Sequence, residues 1–100
     1  MTVLILGGTG EARALATDLD TAGVAYLSSL AGRVRNPRLP VGEVRIGGFG
    51  GIDGLREYLR GNGIRRVVDA THPFAARISG NAAAACAAAG VPAAAPGAAG

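Results

Sequence analysis

The residues Asp69-Ala70-Thr71-His72-Pro73-Phe74 place a carboxylate, a hydroxyl, the single histidine and an aromatic ring within six positions. A histidine at such a turn could cap a helix, bind an anion or move a proton. Cys86 is the single cysteine and lies well down the segment that follows, so no Cys–His or Ser–His–Asp pairing can be argued. No His/Cys cluster at metal-ligand spacing is present, and no metal is expected.

A second chemical centre is Gly7-Gly8-Thr9-Gly10-Glu11, with three glycines in four positions. Backbone N–H groups at such a turn, followed by a helix N-terminus, attract phosphate. The dinucleotide fingerprint G-x-G-x-x-G is met by Gly8 and Gly10, but Arg13 holds the third place. Ala12 or Ala14 is then left to let helix and strand approach. The Thr9 hydroxyl could reach a phosphate. Glu11 is either a phosphate neighbour or simply a first-turn acid suited to the helix dipole. The acid that holds the ribose at the end of the second strand is missing, and Ser28, Ser29 and Arg33 lie there instead. Arginine accepts a 2′-phosphate, which favours NADP over NAD. The alternative is a tight turn without ligand.

Two further groups carry possible chemistry. Arg33, Arg35 and Arg38 sit on a proline-stiffened loop and could bind a 2′-phosphate or substrate carboxylates, or only solvent. Gly47-Gly48-Phe49-Gly50-Gly51 permits close backbone approach to a flat ligand, with Phe49 either stacking on a ring or tucked into the core.

These residues need elements to hold them. Val3–Leu6 reads as a first strand, followed by a helix over about Gly10–Ala22 that Gly23 caps. Val24–Ser28 is a second strand and Glu43–Ile46 a third. Ile52–Arg60 is a helix, Arg66–Ala70 a fourth strand, and a helix with Phe74, Ile78, Ala82 and Ala85 at core spacing runs to about Ala89. Val91-Pro92 begins a fifth strand. Alternation of strands and helices predicts an α/β, Rossmann-like parallel sheet with flanking helices, in order 3-2-1-4-5, incomplete at the C-terminus. Ligands then bind beyond the strand carboxyl ends where the order reverses, and both glycine clusters and Thr71-His72 fall on that rim.

One hundred residues allow one domain, expected as a truncated N-terminal domain over 1–95 with a frayed tail over 96–100. The net charge of +3 comes from arginines spread over several segments, which gives no nucleic-acid footprint. No run approaches the ~20 apolar residues of a membrane span. The first strand begins at once, leaving no leader. A cytoplasmic protein without membrane or nucleic-acid partners is expected; the oligomeric state is open.

Ile5–Ala12, Ser29-Leu30-Ala31-Gly32-Arg33, Gly47–Gly51, Val68–Ala75 and Ile78-Ser79-Gly80-Asn81-Ala82 together resemble the precorrin-6A reductase family of cobalamin biosynthesis, over about residues 3–92. The resemblance implies an NADPH-dependent oxidoreductase that reduces one double bond of a macrocyclic tetrapyrrole, precorrin-6A or its cobalt form, in a cleft between two α/β domains. It implies cofactor binding by Gly8, Thr9, Gly10, Glu11 and Arg33, with Thr71 and His72 as cleft candidates for catalysis. Gly48, Phe49, Phe74 and Ser79 become candidates for holding the substrate. Family members are about twice this long, so the chain is expected to be a fragment that binds NADPH weakly and does not turn over. Two alternatives stand beside this reading. One is another NADP-linked reductase or epimerase, although no lysine exists to build a Tyr-x-x-x-Lys pair. The other is a non-catalytic nucleotide-binding α/β module.

Overall fold

A computed structural model describes residues 2–30, 39–71 and 76–95. The elements are β1 (Thr2–Leu6), α1 (Gly10–Thr21), β2 (Tyr26–Leu30), β3 (Val44–Ile46), α2 (Gly51–Gly61), β4 (Ile64–Asp69), α3 (Ala76–Ala89) and β5 (Ala93–Ala94). All strand pairings are parallel and the order is β3-β2-β1-β4-β5, as expected. Chain direction across the sheet reverses between β1 and β4.

The centre of the sheet is buried on both faces, which explains why β1 is a continuous apolar run rather than an alternating one. Val3 and Ile5 pack with Ala12 and Ala16 of α1. Leu4 and Leu6 face the other way, onto Leu55 and Leu59 of α2 and Ala82, Ala85 and Cys86 of α3. Thus α1 covers one face and α2 with α3 the other. The Ile78, Ala82, Ala85 stripe is core, as its spacing predicts; Phe74 lies outside the described residues. Arg60 Nη2 donates to the Ala88 carbonyl at 3.1 Å, tying α2 to the end of α3.

Three elements depart most from expectation, and one of them, β4, is Ile64–Asp69 instead of Arg66–Ala70. β2 is Tyr26–Leu30, not Val24–Ser28. Val24 N–H donates to the Leu19 carbonyl at 3.0 Å, so it belongs to the exit from α1, and Gly23 takes the left-handed φ of 72° that such an exit requires. Ser28 and Ser29 are therefore buried inside the strand instead of standing at its tip. Similarly β5 is Ala93–Ala94, while Pro92 supplies the carbonyl that Val67 N–H bonds at 2.9 Å. Residues 96–100, expected as a tail, lie outside the described residues. No described helix is long and apolar enough to cross a membrane.

Candidate functional site

The parallel sheet brings every strand's carboxyl end to one rim, and backbone hydrogen bonds lace the turns there together. Gly7 N–H donates to the Ser29 carbonyl at 2.8 Å, Gly47 N–H to Leu30 at 2.8 Å and Ala70 N–H to Leu6 at 2.9 Å. The glycine turn after β1, the glycine loop after β3 and the Thr71 turn after β4 thus form one continuous edge, as the topology required.

At the first turn the structure explains the glycines separately. A Cβ on Gly7 would stand 3.2 Å from Leu30 Cδ2 and 3.5 Å from Ala12 Cβ, so Gly7 lets β1, β2 and α1 close together. Ala12 shares that task, being buried, whereas Ala14 is exposed. Gly8 has φ 107° and open space around its Cβ position, leaving its backbone accessible from solvent. Such an uncovered backbone at a helix N-terminus fits a phosphate group.

Thr9 does something other than reach for phosphate. It is the N-cap of α1, its Oγ1 accepting from Ala12 N–H at 3.1 Å. The same hydroxyl donates to the Ala70 carbonyl at 2.6 Å. A hydroxyl has one proton. With that proton on Ala70, Thr9 Oγ1 has none for a phosphate oxygen, and any anion at this turn is left to backbone N–H groups. Glu11 is exposed in the first turn of α1, the place where an acid complements the helix dipole.

The glycine loop is organised by Arg45, a residue that composition and motif reading passed over. Arg45 Nη1 donates to the Gly47 carbonyl at 3.0 Å and to Ser29 Oγ at 3.4 Å, and Nη2 donates to the Gly48 carbonyl at 3.2 Å. Its Cζ stands 4.0 Å from the Phe49 ring centroid and 5.1 Å from that of Tyr58. Phe49 and Tyr58 meet edge to face at 5.1 Å. Phe49 is consequently half-buried against the core beside α2, with one ring face under a guanidinium instead of free for a flat ligand. Arg45 stands one residue before the end of β3 and next to the glycine loop, but only the folded loop and α2 supply its partners. Arg45→Ala removes three hydrogen bonds and two cation–π contacts, and is expected to cost about 1–2 kcal/mol after discounting for partial exposure. Urea denaturation with amide exchange over residues 47–51 checks this; unchanged exchange there shows the loop stands without Arg45.

At the tip of β4, Asp69 gathers the polar groups around it. Its Oδ1 accepts from Thr71 N–H at 3.1 Å and from Thr71 Oγ1 at 2.5 Å, and Thr71 Oγ1 lies 3.3 Å from Ser79 Oγ on α3. Burial pushes the Asp69 pKa up, but hydrogen bonds from Ser79 and Thr71 outweigh it and hold the carboxyl below its ordinary value. A depressed folded-state pKa favours the fold at neutral pH, and that contribution is lost as the pH falls through it. Asp69 was singled out only as part of its stretch; its role shows once β4 and α3 bring Ser79 over Thr71.

Thr71, Ser79, Gly8, Thr9, Gly10, Glu11, Gly48 and Phe49 are therefore all on or beside the rim. His72, Phe74, Arg33, Arg35 and Arg38 lie outside the described residues. Cys86 is buried, and burial raises its pKa, as expected of a core thiol. Among the described residues no group of three or more His, Cys, Asp or Glu could hold a metal ion.

Comparison with known proteins gives a consistent picture. The family described as Precorrin-6x reductase CbiJ/CobK matches residues 2–95. Precorrin-6A reductase of Rhodococcus erythropolis is 66% identical over 91 residues, covering 90% of this chain and 37% of that protein. The Mycobacterium tuberculosis protein of the same name is 60% identical over 90 residues, covering 90% and 36%. Cobalt-precorrin-6A reductase of Salmonella typhimurium is 39% identical over 101 residues, covering 89% and 34%. A solved structure of CobK precorrin-6A reductase superposes with a TM-score of 0.91 at 49% identity, over 95% of this chain and 38% of that one. The chain spans little more than a third of the length of these relatives.

Proposed function

The chain belongs to the precorrin-6x reductase family CbiJ/CobK, and from that premise we propose that its rim binds NADPH for the reduction of precorrin-6A to precorrin-6B in cobalamin biosynthesis. The observation that carries this reading is the turn at Gly7–Gly10. It stands beside the reversal of strand order, its Gly8 backbone is uncovered, and α1 begins directly behind it. Bound there, NADPH supplies the hydride. The chain's own residues bind and orient. Gly8 and Gly10 offer backbone N–H groups to the pyrophosphate, and Arg33 takes the 2′-phosphate in place of an acidic ribose ligand. Thr71 lines the cleft at the tip of β4, with Ser79 behind it, and His72 and Phe74 are assigned to the same cleft from their place in the sequence alone. The Gly48–Phe49 backbone, held by Arg45, borders the far side. Glu11 stays toward solvent and supports the helix. These residues form the cofactor side of the site, so NADPH binding without turnover is expected of the 100 residues alone.

Fluorescence titration with NADPH and NADH tests the assignment. NADPH is expected to bind at least about tenfold tighter, the discrimination one arginine–phosphate contact supplies. Equal affinities remove the 2′-phosphate role of Arg33. Binding of neither nucleotide overturns the reading in favour of a structural α/β domain, and precorrin-6A reduction by this chain overturns the division of labour.

A further inference from the structure

The Thr71 hydroxyl is a buried-side group whose proton can be located. Asp69 is ionised at neutral pH and can only accept, and Thr71 Oγ1 lies 2.5 Å from its Oδ1 against 3.3 Å from Ser79 Oγ. The proton of Thr71 is therefore on that contact. Ser79 Oγ, at 3.3 Å from Thr71 Oγ1, either donates to it or turns to the same carboxylate. In both arrangements Thr71 Oγ1 keeps lone pairs and has no proton to give. We propose that Asp69 is a positioning residue that makes Thr71 Oγ1 an acceptor-only group at the tip of β4, selecting a hydrogen-bond donor on the ring bound there, the carboxamide N–H of the nicotinamide.

An acceptor-only Thr71 Oγ1 excludes the anions otherwise expected at this rim. A phosphate or carboxylate oxygen meeting Thr71 Oγ1 would set two acceptors against each other, which costs the desolvation of both. An N–H group pairs with it directly. The choice of the carboxamide rests on the proposed function: β4 lies on the opposite side of β1 from β2, so a dinucleotide whose pyrophosphate sits on the turn after β1, and whose 2′-phosphate is read near β2, extends its other ring over β4. Thr71 follows the end of β4, next to Ala70, which is bonded both to Leu6 and to Thr9.

The test compares NADPH with its reduced 3-acetylpyridine analogue, in which a methyl replaces the amide NH2. Calorimetric titration of the full chain is expected to favour NADPH by about three- to tenfold, the value of one hydrogen bond. In Thr71→Val that preference falls to near unity, and Thr71→Ser restores it. In Asp69→Asn one carbonyl replaces a carboxylate that served three donors, so a hydroxyl must turn and the preference shrinks. A purely structural role would weaken both nucleotides alike and leave the ratio unchanged; that result in a folded Thr71→Val overturns the proposal. NADPH labelled with 15N at the carboxamide gives an independent readout on the unaltered chain. One amide proton protected from solvent exchange is expected, and two freely exchanging protons overturn the assignment. Failure of NADPH itself to bind the unaltered chain removes this inference together with the function on which it rests, whereas binding without discrimination removes this inference alone.

Discussion

Replacing Gly54 by alanine is expected to destabilise the protein, although alanine is the better helix former. A Cβ at this position would collide with the backbone carbonyl of Phe49, with both its oxygen and its carbon inside van der Waals contact. The obstacle is backbone, so no side chain can swing aside. Either α2 or the glycine loop must move, and the loop is pinned by Arg45 through the Gly47 and Gly48 carbonyls. Overpacking of this kind costs about 1–3 kcal/mol, against about 1 kcal/mol gained in helix propensity. Gly61 near the end of the same helix supplies the control, because a Cβ there meets nothing within 4 Å. Gly61→Ala is expected to be neutral or stabilising by up to about 1 kcal/mol. Urea midpoints of the two variants should move in opposite directions. If both rise, the loop does not rest on α2 as described.

The second large effect belongs to Thr9→Val, which keeps the shape and removes the hydroxyl. Ala12 N–H loses its cap and the Ala70 carbonyl loses its donor. A lost N-cap costs about 1 kcal/mol, and a partly buried carbonyl left unpaired about 1–3 kcal/mol. A total of about 2–4 kcal/mol is expected, read as a lower denaturation midpoint, with Thr9→Ser close to the unaltered protein. Amide exchange should then rise at Ala12, and the 13C shift of the Ala70 carbonyl, distant in sequence, should move as it loses its donor. A change at Ala12 only would reduce Thr9 to an ordinary cap.

The architecture was legible because its signals are local and repeated. Val3–Leu6 has the unbroken apolar run of a two-sided strand, Gly23 and Gly90 stand at helix exits with φ of 72° and 71°, and the Leu55 and Leu59 pair marks the buried side of α2. The start of β2 was misplaced because Val24 and Ala25 look as extended as the strand itself; only the cap bond from Val24 to Leu19 shows that the helix exit claims them. The site was legible as a set of turns on one rim and not as a set of partners. Thr9 and Thr71 are both hydroxyls whose protons are already spent: that of Thr9 on an Ala70 carbonyl 61 residues away, which only the sheet brings close, and that of Thr71 on Asp69 two residues before it. Arg45 was invisible for a related reason: a cation in a short strand is usually solvated, and its two carbonyls and two rings come from the loop and from α2.

The place of β1 in the sheet has a consequence for how the rim comes into being. β1 is central, yet its neighbour β4 and the Ala70 carbonyl that Thr9 bonds come 61 residues after that threonine. At about 5–20 residues per second of synthesis, the glycine turn after β1 waits on the order of several seconds for the strand that completes it. During that interval Leu4 and Leu6 lack the α2, β4 and α3 residues that bury them. Long-range parallel pairing also forms slowly once the residues exist. The nascent chain therefore carries its most apolar strand first and closes it late, which makes the interval before residue 70 emerges the moment at which this protein is most exposed to aggregation.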